Sequence, residues 1–149
     1  MEPLSILRSP PVVGLASLAA QRLLSRGSST SPATSLLGAA VAVAGVVVAA
    51  AGIREIRAAG TTLDPTRPAD ASKVVRQGIY RYSRNPIYLG DALLLAGYAI
   101  HRRDLLAILP VAGFVGVIDT FQVSAEEEAL RDRFGSTYGD YVASVRRWL

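Results

Sequence analysis

Cysteine is absent from the 149 residues, and histidine, methionine, tryptophan and lysine occur once each. No disulfide, thiolate metal site, thiol nucleophile or palmitoyl anchor can therefore be built, and a single His leaves no histidine cluster for a metal. Metal chemistry would need carboxylates alone, and none is expected. Fifteen of the sixteen basic residues are Arg, the exception being Lys73, which with the abundance of Ala, Val and Gly points to a GC-rich, bacterial type of coding sequence. Low-complexity text is also scarce: Gly27 to Ser35 reads as a flexible external loop, and no internal repeat is visible. A chain that is half apolar, with a mean hydropathy of +0.31, is not disordered or fibrous. Nucleic-acid binding is discounted, because the aromatic residues do not interleave with the basic excess on a soluble face.

The apolar fraction barely exceeds that of soluble domains, so the distribution decides the class. Leu36 to Ile53 is eighteen residues without a charge, hydroxyl, amide or proline, about 27 Å of helix, close to the hydrocarbon thickness of a bilayer. A buried soluble helix is the alternative, but such helices usually carry a polar stripe and this one has none. Three weaker blocks flank it. Val12 to Leu24 is broken by Gln21 and Arg22, Ile87 to Ile100 by Asp91, and Leu105 to Phe121 by Pro110 and Asp119. Asn85 is a good N-cap before Pro86 for the third block. The fourth continues as helix through Glu126 to Phe134, with Gly135 as its C-cap. His101 to Asp104 makes the last two blocks a tight antiparallel hairpin. Gly38, Gly45 and Gly52 recur seven apart with Ala42 and Ala49 between them, a small face for close helix packing.

The expected fold is thus all-α, an integral membrane bundle of about four transmembrane helices with a short amphipathic C-terminal helix. Basic residues test its orientation. Arg8, Arg54, Arg57, Arg67, Lys73, Arg76, Arg81, Arg84, Arg131, Arg133, Arg146 and Arg147 fall on one side, twelve in all, against Arg22, Arg26, Arg102 and Arg103 on the other. Both termini are therefore expected in the cytoplasm. A cleavable signal peptide is the alternative for the first block; the lone Arg8, offset by Glu2, and Pro10-Pro11 argue for a retained helix.

Polar text gathers between the blocks and in the tail. Gly60-Thr61-Thr62-Leu63-Asp64-Pro65 is turn-rich; Lys73-Val74-Val75-Arg76-Gln77-Gly78-Ile79-Tyr80 and Arg84-Asn85-Pro86-Ile87-Tyr88-Leu89-Gly90 follow. Later come Glu126-Glu127-Glu128, Leu130, Phe134-Gly135, Tyr138, Tyr141, Val145 and Arg147-Trp148. In this order and at these separations the chain, from about Gly60 to Trp148, resembles the isoprenylcysteine carboxyl methyltransferase and phospholipid methyltransferase superfamily, small membrane enzymes that use S-adenosylmethionine. The resemblance implies one domain over 1–149, with N-terminal helices in 1–59 and a cofactor-binding core in 60–149. It also implies cofactor contacts from Ser72, Lys73, Val74 and Val75, from Tyr80, from Asn85, Pro86, Ile87 and Tyr88, and from Glu126 with Glu127 beside it. These would wrap S-adenosylmethionine between the third and fourth helices at the cytoplasmic surface.

The chemistry of the residues agrees. A sulfonium cation suits Glu126 and the faces of Tyr80 or Tyr88, and the cofactor's carboxylate suits Arg84 or the helix start at Asn85. Methyl transfer is an in-line displacement that needs alignment and dryness, and no catalytic triad is required or visible. The bland readings are a solvated acidic face at Glu126 to Glu128 paired with Arg131, a simple helix start at Asn85-Pro86, and a tail face of Tyr138, Tyr141, Val145 and Trp148 resting on the core or the lipid interface. His101 reads as a solvated loop residue. Asp91 and Asp119, ionisable groups at membrane depth, are candidates for the substrate entrance, Asp119 sharing the face of Glu126 two turns on.

Two positions depart from the superfamily pattern. Gln122 stands where the prenylcysteine enzymes carry a substrate-holding arginine, and Asn85 where many members carry histidine. A prenylcysteine carboxylate is then a poorer acceptor than a phospholipid amine, another lipid head group or a small isoprenoid acid. Two other classes remain. Sterol-type reductases share Arg-x-Pro-x-Tyr-x-Gly followed by an acidic residue, as Asp91 is here, which would imply NADPH. A non-catalytic four-helix membrane protein would bind neither nucleotide.

Overall fold

The computed structural model describes residues 9–62, 64 and 67–149. Arg8 and Glu2, weighed above, and Leu63 and Pro65 of the first turn lie outside the described residues. Among those described, every regular element is helical. Helix α1 spans Pro10–Leu24, α2 Pro32–Ala59, and α3 Pro86–Arg102. A 3-10 turn, Leu105–Ile108, leads into α4, Leu109–Val117, then a π-turn, Ile118–Val123, and α5, Ser124–Phe134. Helix α6 covers Ser136–Ser144.

Among the described residues two helices are long and apolar enough to cross a membrane: α2, and the continuous run Leu105–Phe134. The four expected spans are two by this measure, because α1 and α3, at 15 and 17 residues, are shorter than the usual span of about 20. Pro110 does not break the fourth block. The preceding 3-10 turn sets it in the first turn of α4, where its missing N–H leaves no bond unmade. The hairpin is tighter than expected. Helix α3 runs on through His101 and Arg102, Arg103 closes it in the left-handed region at φ 52°, and the Asp104 side chain accepts from Leu106 N at 2.9 Å to start the next helix. His101 is accordingly no loop residue, and its Nδ1 lies 3.1 Å from Ser35 Oγ. Part of the expected loop is helix too, since Ser31 and Thr34 form a reciprocal capping box that starts α2 at Pro32.

The seven-residue glycine spacing becomes the principal packing contact. Helices α2 and α3 run antiparallel so closely that a Cβ on Gly38 would meet Gly97 O at 2.5 Å, and one on Gly45 would meet Gly90 O at 2.6 Å. A Cβ on Gly52 would meet Pro86 Cγ and Ile87 Cγ1 at 3.0 Å each. Backbone-to-backbone approach of this kind is how helices gain dispersion contacts where lipid offers no hydrophobic drive. The other side of α3 faces α1 and α4 through Tyr88, Leu95, Phe114, Ile118 and Val123. Gln21 of α1 is fully buried there, and its Nε2 donates to Leu95 O (2.9 Å) and Ala107 O (2.8 Å), linking three helices.

The core-facing residues of the last long helix are Phe114, Ile118, Val123 and Glu127, spaced four, five and four. The five is the π-turn, which inserts one residue into the α period and is closed in part by Ser124 Oγ donating to Asp119 O at 2.9 Å.

Candidate active site

Gly60 ends α2 in the left-handed conformation, and Ser72 folds the following loop back on it, its N–H donating to Thr61 Oγ1 (2.9 Å) and its Oγ to Gly60 O (3.2 Å). Gly78, at φ 58°, opens a short 3-10 turn, Gly78–Arg81, and lies so close to Glu55 that a Cβ would meet its carboxyl carbon at 2.5 Å. That turn sends Tyr80 inward to pack with Tyr138 and Tyr141, with Val74 and Val75 against them. The tail aromatics therefore rest on the core. Burial raises the phenols of Tyr80 and Tyr141, and pushes that of Tyr138 up to about 12. Tyr141 donates its hydroxyl to Tyr80 O at 2.8 Å. Tyr141→Phe should destabilise the protein by about 1 kcal/mol, the net value of a buried hydrogen bond, as read by thermal unfolding in detergent.

Tyr80 faces one end of a cleft of about 1030 Å³. At this end the walls are Lys73, Val74, Val75, Tyr80, Asn85, Ile87, Tyr88 and Glu126; farther along, α1 contributes Gly14, Leu15 and Leu18, α2 Gly38, Ala39 and Ala42, and α3 Asp91, Leu94, Leu95, Tyr98 and His101. Tyr88 donates to Glu126 Oε1 at 2.5 Å, and Gln122 Nε2 donates to the same oxygen at 2.7 Å. Glu126 Oε2 makes no hydrogen bond to a described residue.

Its neighbour is used differently. Glu127, 3% exposed, takes Arg84 Nη2 at 2.6 Å, Arg147 Nη2 at 2.8 Å and Arg147 Nε at 3.1 Å, with Arg131 at 3.5 Å. Arg84 also donates through Nη1 to Val142 O (3.2 Å) and Val145 O (2.7 Å), anchoring the tail, while its buried Nε has no partner among the described residues. Arg147 continues to Asp119 at 2.9 Å, and Trp148 Nε1 donates to Asp119 Oδ1 at 2.7 Å. Asp119 does not share a face with Glu126: the extra residue of the π-turn aligns it with Glu127 instead, through Arg147. Asn85 occupies the N-cap position of α3 without capping it, because its Nδ2 donates to Arg147 O at 3.0 Å. Pro86 is fully buried against Gly52. Ser72, Pro86, Gln122 and Asp119 do not line the cleft, whereas Arg84 and Glu127 touch it with their side chains already paired. The tail residues Arg147 and Trp148 stand in the motif but had no sequence signal naming their partners.

Residues 33–137 match the phospholipid methyltransferase family. The chain belongs to that family. This places it in the isoprenylcysteine and phospholipid methyltransferase superfamily, as the motifs implied, and favours methyl transfer over the reductase reading. A family whose acceptors are lipids and two apolar helices of spanning length make it a membrane methyltransferase. A relative in Haemophilus influenzae, itself described as an uncharacterized protein, is 40% identical over 63 residues, 42% of this chain and 100% of that one. No solved structure matches. No group of three or more potential metal ligands occurs among the described residues.

Proposed function

We propose that the protein is an S-adenosylmethionine-dependent methyltransferase whose acceptor is a lipid or isoprenoid-type molecule reaching the site from the bilayer. The observation that carries this is the convergence of Tyr80, Tyr88 and Glu126, from separate stretches, on one end of a cleft whose remaining length is mostly apolar. The donor set suits the cofactor. Glu126 offers a free oxygen to a cation, the tyrosine rings offer π faces, and the uncapped first turn of α3 together with Lys73 suits a carboxylate. When bound, S-adenosylmethionine supplies an electrophilic methyl group on a positively charged sulfur.

The chain's own residues do the rest. Tyr88 and Gln122 hold the Glu126 carboxylate in one orientation, so that its charge is preorganised for the bound cation. Val74, Val75 and Ile87 keep the site dry, and the rigid α2–α3 pair fixes the line of approach. In this reading all four long helical segments traverse the bilayer, polar ends extending α1 and α3, with the Glu126 end of the cleft at the cytoplasmic surface and both termini on that side. Calorimetric titration of the detergent-purified protein should give micromolar binding of S-adenosylhomocysteine, and Glu126→Gln should weaken it about tenfold without lowering the unfolding temperature. Binding of NADPH alone would move the protein to the reductases, and binding of neither ligand by folded protein would favour a non-catalytic scaffold.

A further inference from the structure

Among the acidic side chains near the cleft, Asp91 stands apart. Glu126 is bonded to Tyr88 and Gln122, Glu127 to three arginines, Asp119 to Arg147 and Trp148, and Asp64 at the cleft's loop wall is paired with Arg67. Asp91 has no ion pair or hydrogen bond to any described residue, although it lies in the middle of an apolar stretch of α3 and faces the cleft. Its neighbour Gly90 is pressed against Gly45, so the backbone that carries it has no freedom to swing it elsewhere. A carboxylate within an apolar helical run is costly to insert, and such groups usually meet a partner or a substrate path. No described residue provides a cation for it, and the cleft it faces is the one assigned to the acceptor in the reading above.

We propose that Asp91 is a catalytic residue of the methyl transfer, pairing with a protonated amine on the lipid acceptor and taking its proton. The inference rests on the methyltransferase reading above. Asp91 sits three residues beyond Tyr88, about 4.5 Å further along the axis of α3, so a head group on it lies next to the Tyr88–Glu126 end. The balance is simple. The ammonium N–H bond breaks and the proton passes to the Asp91 carboxylate, leaving a nitrogen lone pair. That pair forms the new N–C bond as the C–S bond breaks, its electrons going to sulfur, which becomes a neutral thioether. The product is a methylated ammonium, and Asp91 returns its proton to water at the mouth of the cleft. An acceptor that is already a carboxylate would need no such base and would be repelled by Asp91.

The test uses the full chain in vesicles, with the label carried on the methyl group of S-adenosylmethionine. Label is expected in phosphatidylethanolamine and not in phosphatidylglycerol or a fatty acid. Asp91→Asn should lower that transfer at least a hundredfold at pH 7, while leaving S-adenosylhomocysteine affinity within twofold, and should bind dodecylamine about tenfold more weakly by calorimetry. The variant's rate should climb about tenfold per pH unit as solvent hydroxide replaces the missing base, a slope that a merely structural role would not produce. Wild-type protein that binds S-adenosylhomocysteine but labels a fatty acid, or labels none of these lipids, overturns the proposal. So does an Asp91→Asn variant that transfers to the amine lipid at the wild-type rate. Loss of S-adenosylhomocysteine binding by wild type itself would instead remove the methyltransferase reading beneath it.

Discussion

Gly45→Leu should yield no folded protein in detergent, or one destabilised by more than about 3 kcal/mol, the upper range for overpacking a tight core. The reason is what the new side chain meets. Its Cβ would fall 2.6 Å from Gly90 O and 3.0 Å from both the Leu93 Cβ and the Leu94 backbone nitrogen, and none of these can rotate away. The only relief is to separate α2 from α3, which removes the Gly38·Gly97 contact and tilts the wall that carries Tyr88 and Asp91. Gly116→Leu is the matched control, because nothing lies within 4 Å of a Cβ there. It should unfold within about 0.5 kcal/mol of wild type. Equal unfolding temperatures for Gly45→Leu and wild type, measured by circular dichroism with size exclusion as a check on dispersity, would disprove the close approach.

Glu127→Ala should cost about 3 to 5 kcal/mol, the usual consequence of removing one partner from a buried ion pair. Arg84 is the main reason, since its side chain is only 9% exposed and would keep its charge with no carboxylate nearby. Arg147, about one-third exposed, can hydrate and adds less. The tail held by these arginines should loosen, which amide exchange in Tyr138 to Ser144 would record. The comparison with its neighbours is the sharper test. Glu128 is exposed, and Glu128→Ala should be neutral within about 0.5 kcal/mol. Glu126→Gln should spare stability and impair ligand binding. If all three substitutions behaved alike, the acidic run would be the undifferentiated solvated face that its sequence taken alone suggests.

Much of the helical plan was legible in the sequence because bilayers and helices impose strong patterns. The charge-free run in α2, the Pro86 start of α3, the existence of a hairpin within His101 to Asp104 and the Gly135 cap each follow from one local rule. The number of spans was less legible, since residues flanking α1 and α3 carry the polar groups that shorten both. At the site, the motif spacing pointed to Tyr80, Tyr88 and Glu126, and the cleft gathers all three. What failed was any reading that needed a partner from far along the chain. Asn85 is a poor cap here because Arg147 O competes for its amide, and the two Nη groups of Arg84 are held by the tail carbonyls and Glu127. His101 reads as solvent-facing until Ser35 of another helix is brought beside it.

Three consecutive glutamates take three roles because of where the helix slips its period at Ile118–Val123. Chain length in that turn therefore matters more than the identity of most residues in it. Straightening that turn into α-helix at unchanged chain length would turn everything downstream by about 100°, whereas deleting one residue at the same time would leave the faces as they are. At unchanged length Glu126 would then take the arginine cluster, Ala125 the cleft, and Glu127 the exposed flank. A relative whose helix runs straight through this turn should accordingly be one residue shorter there, so that the gap pattern of relatives, rather than their residue identities, would preserve the assignment of the acidic run.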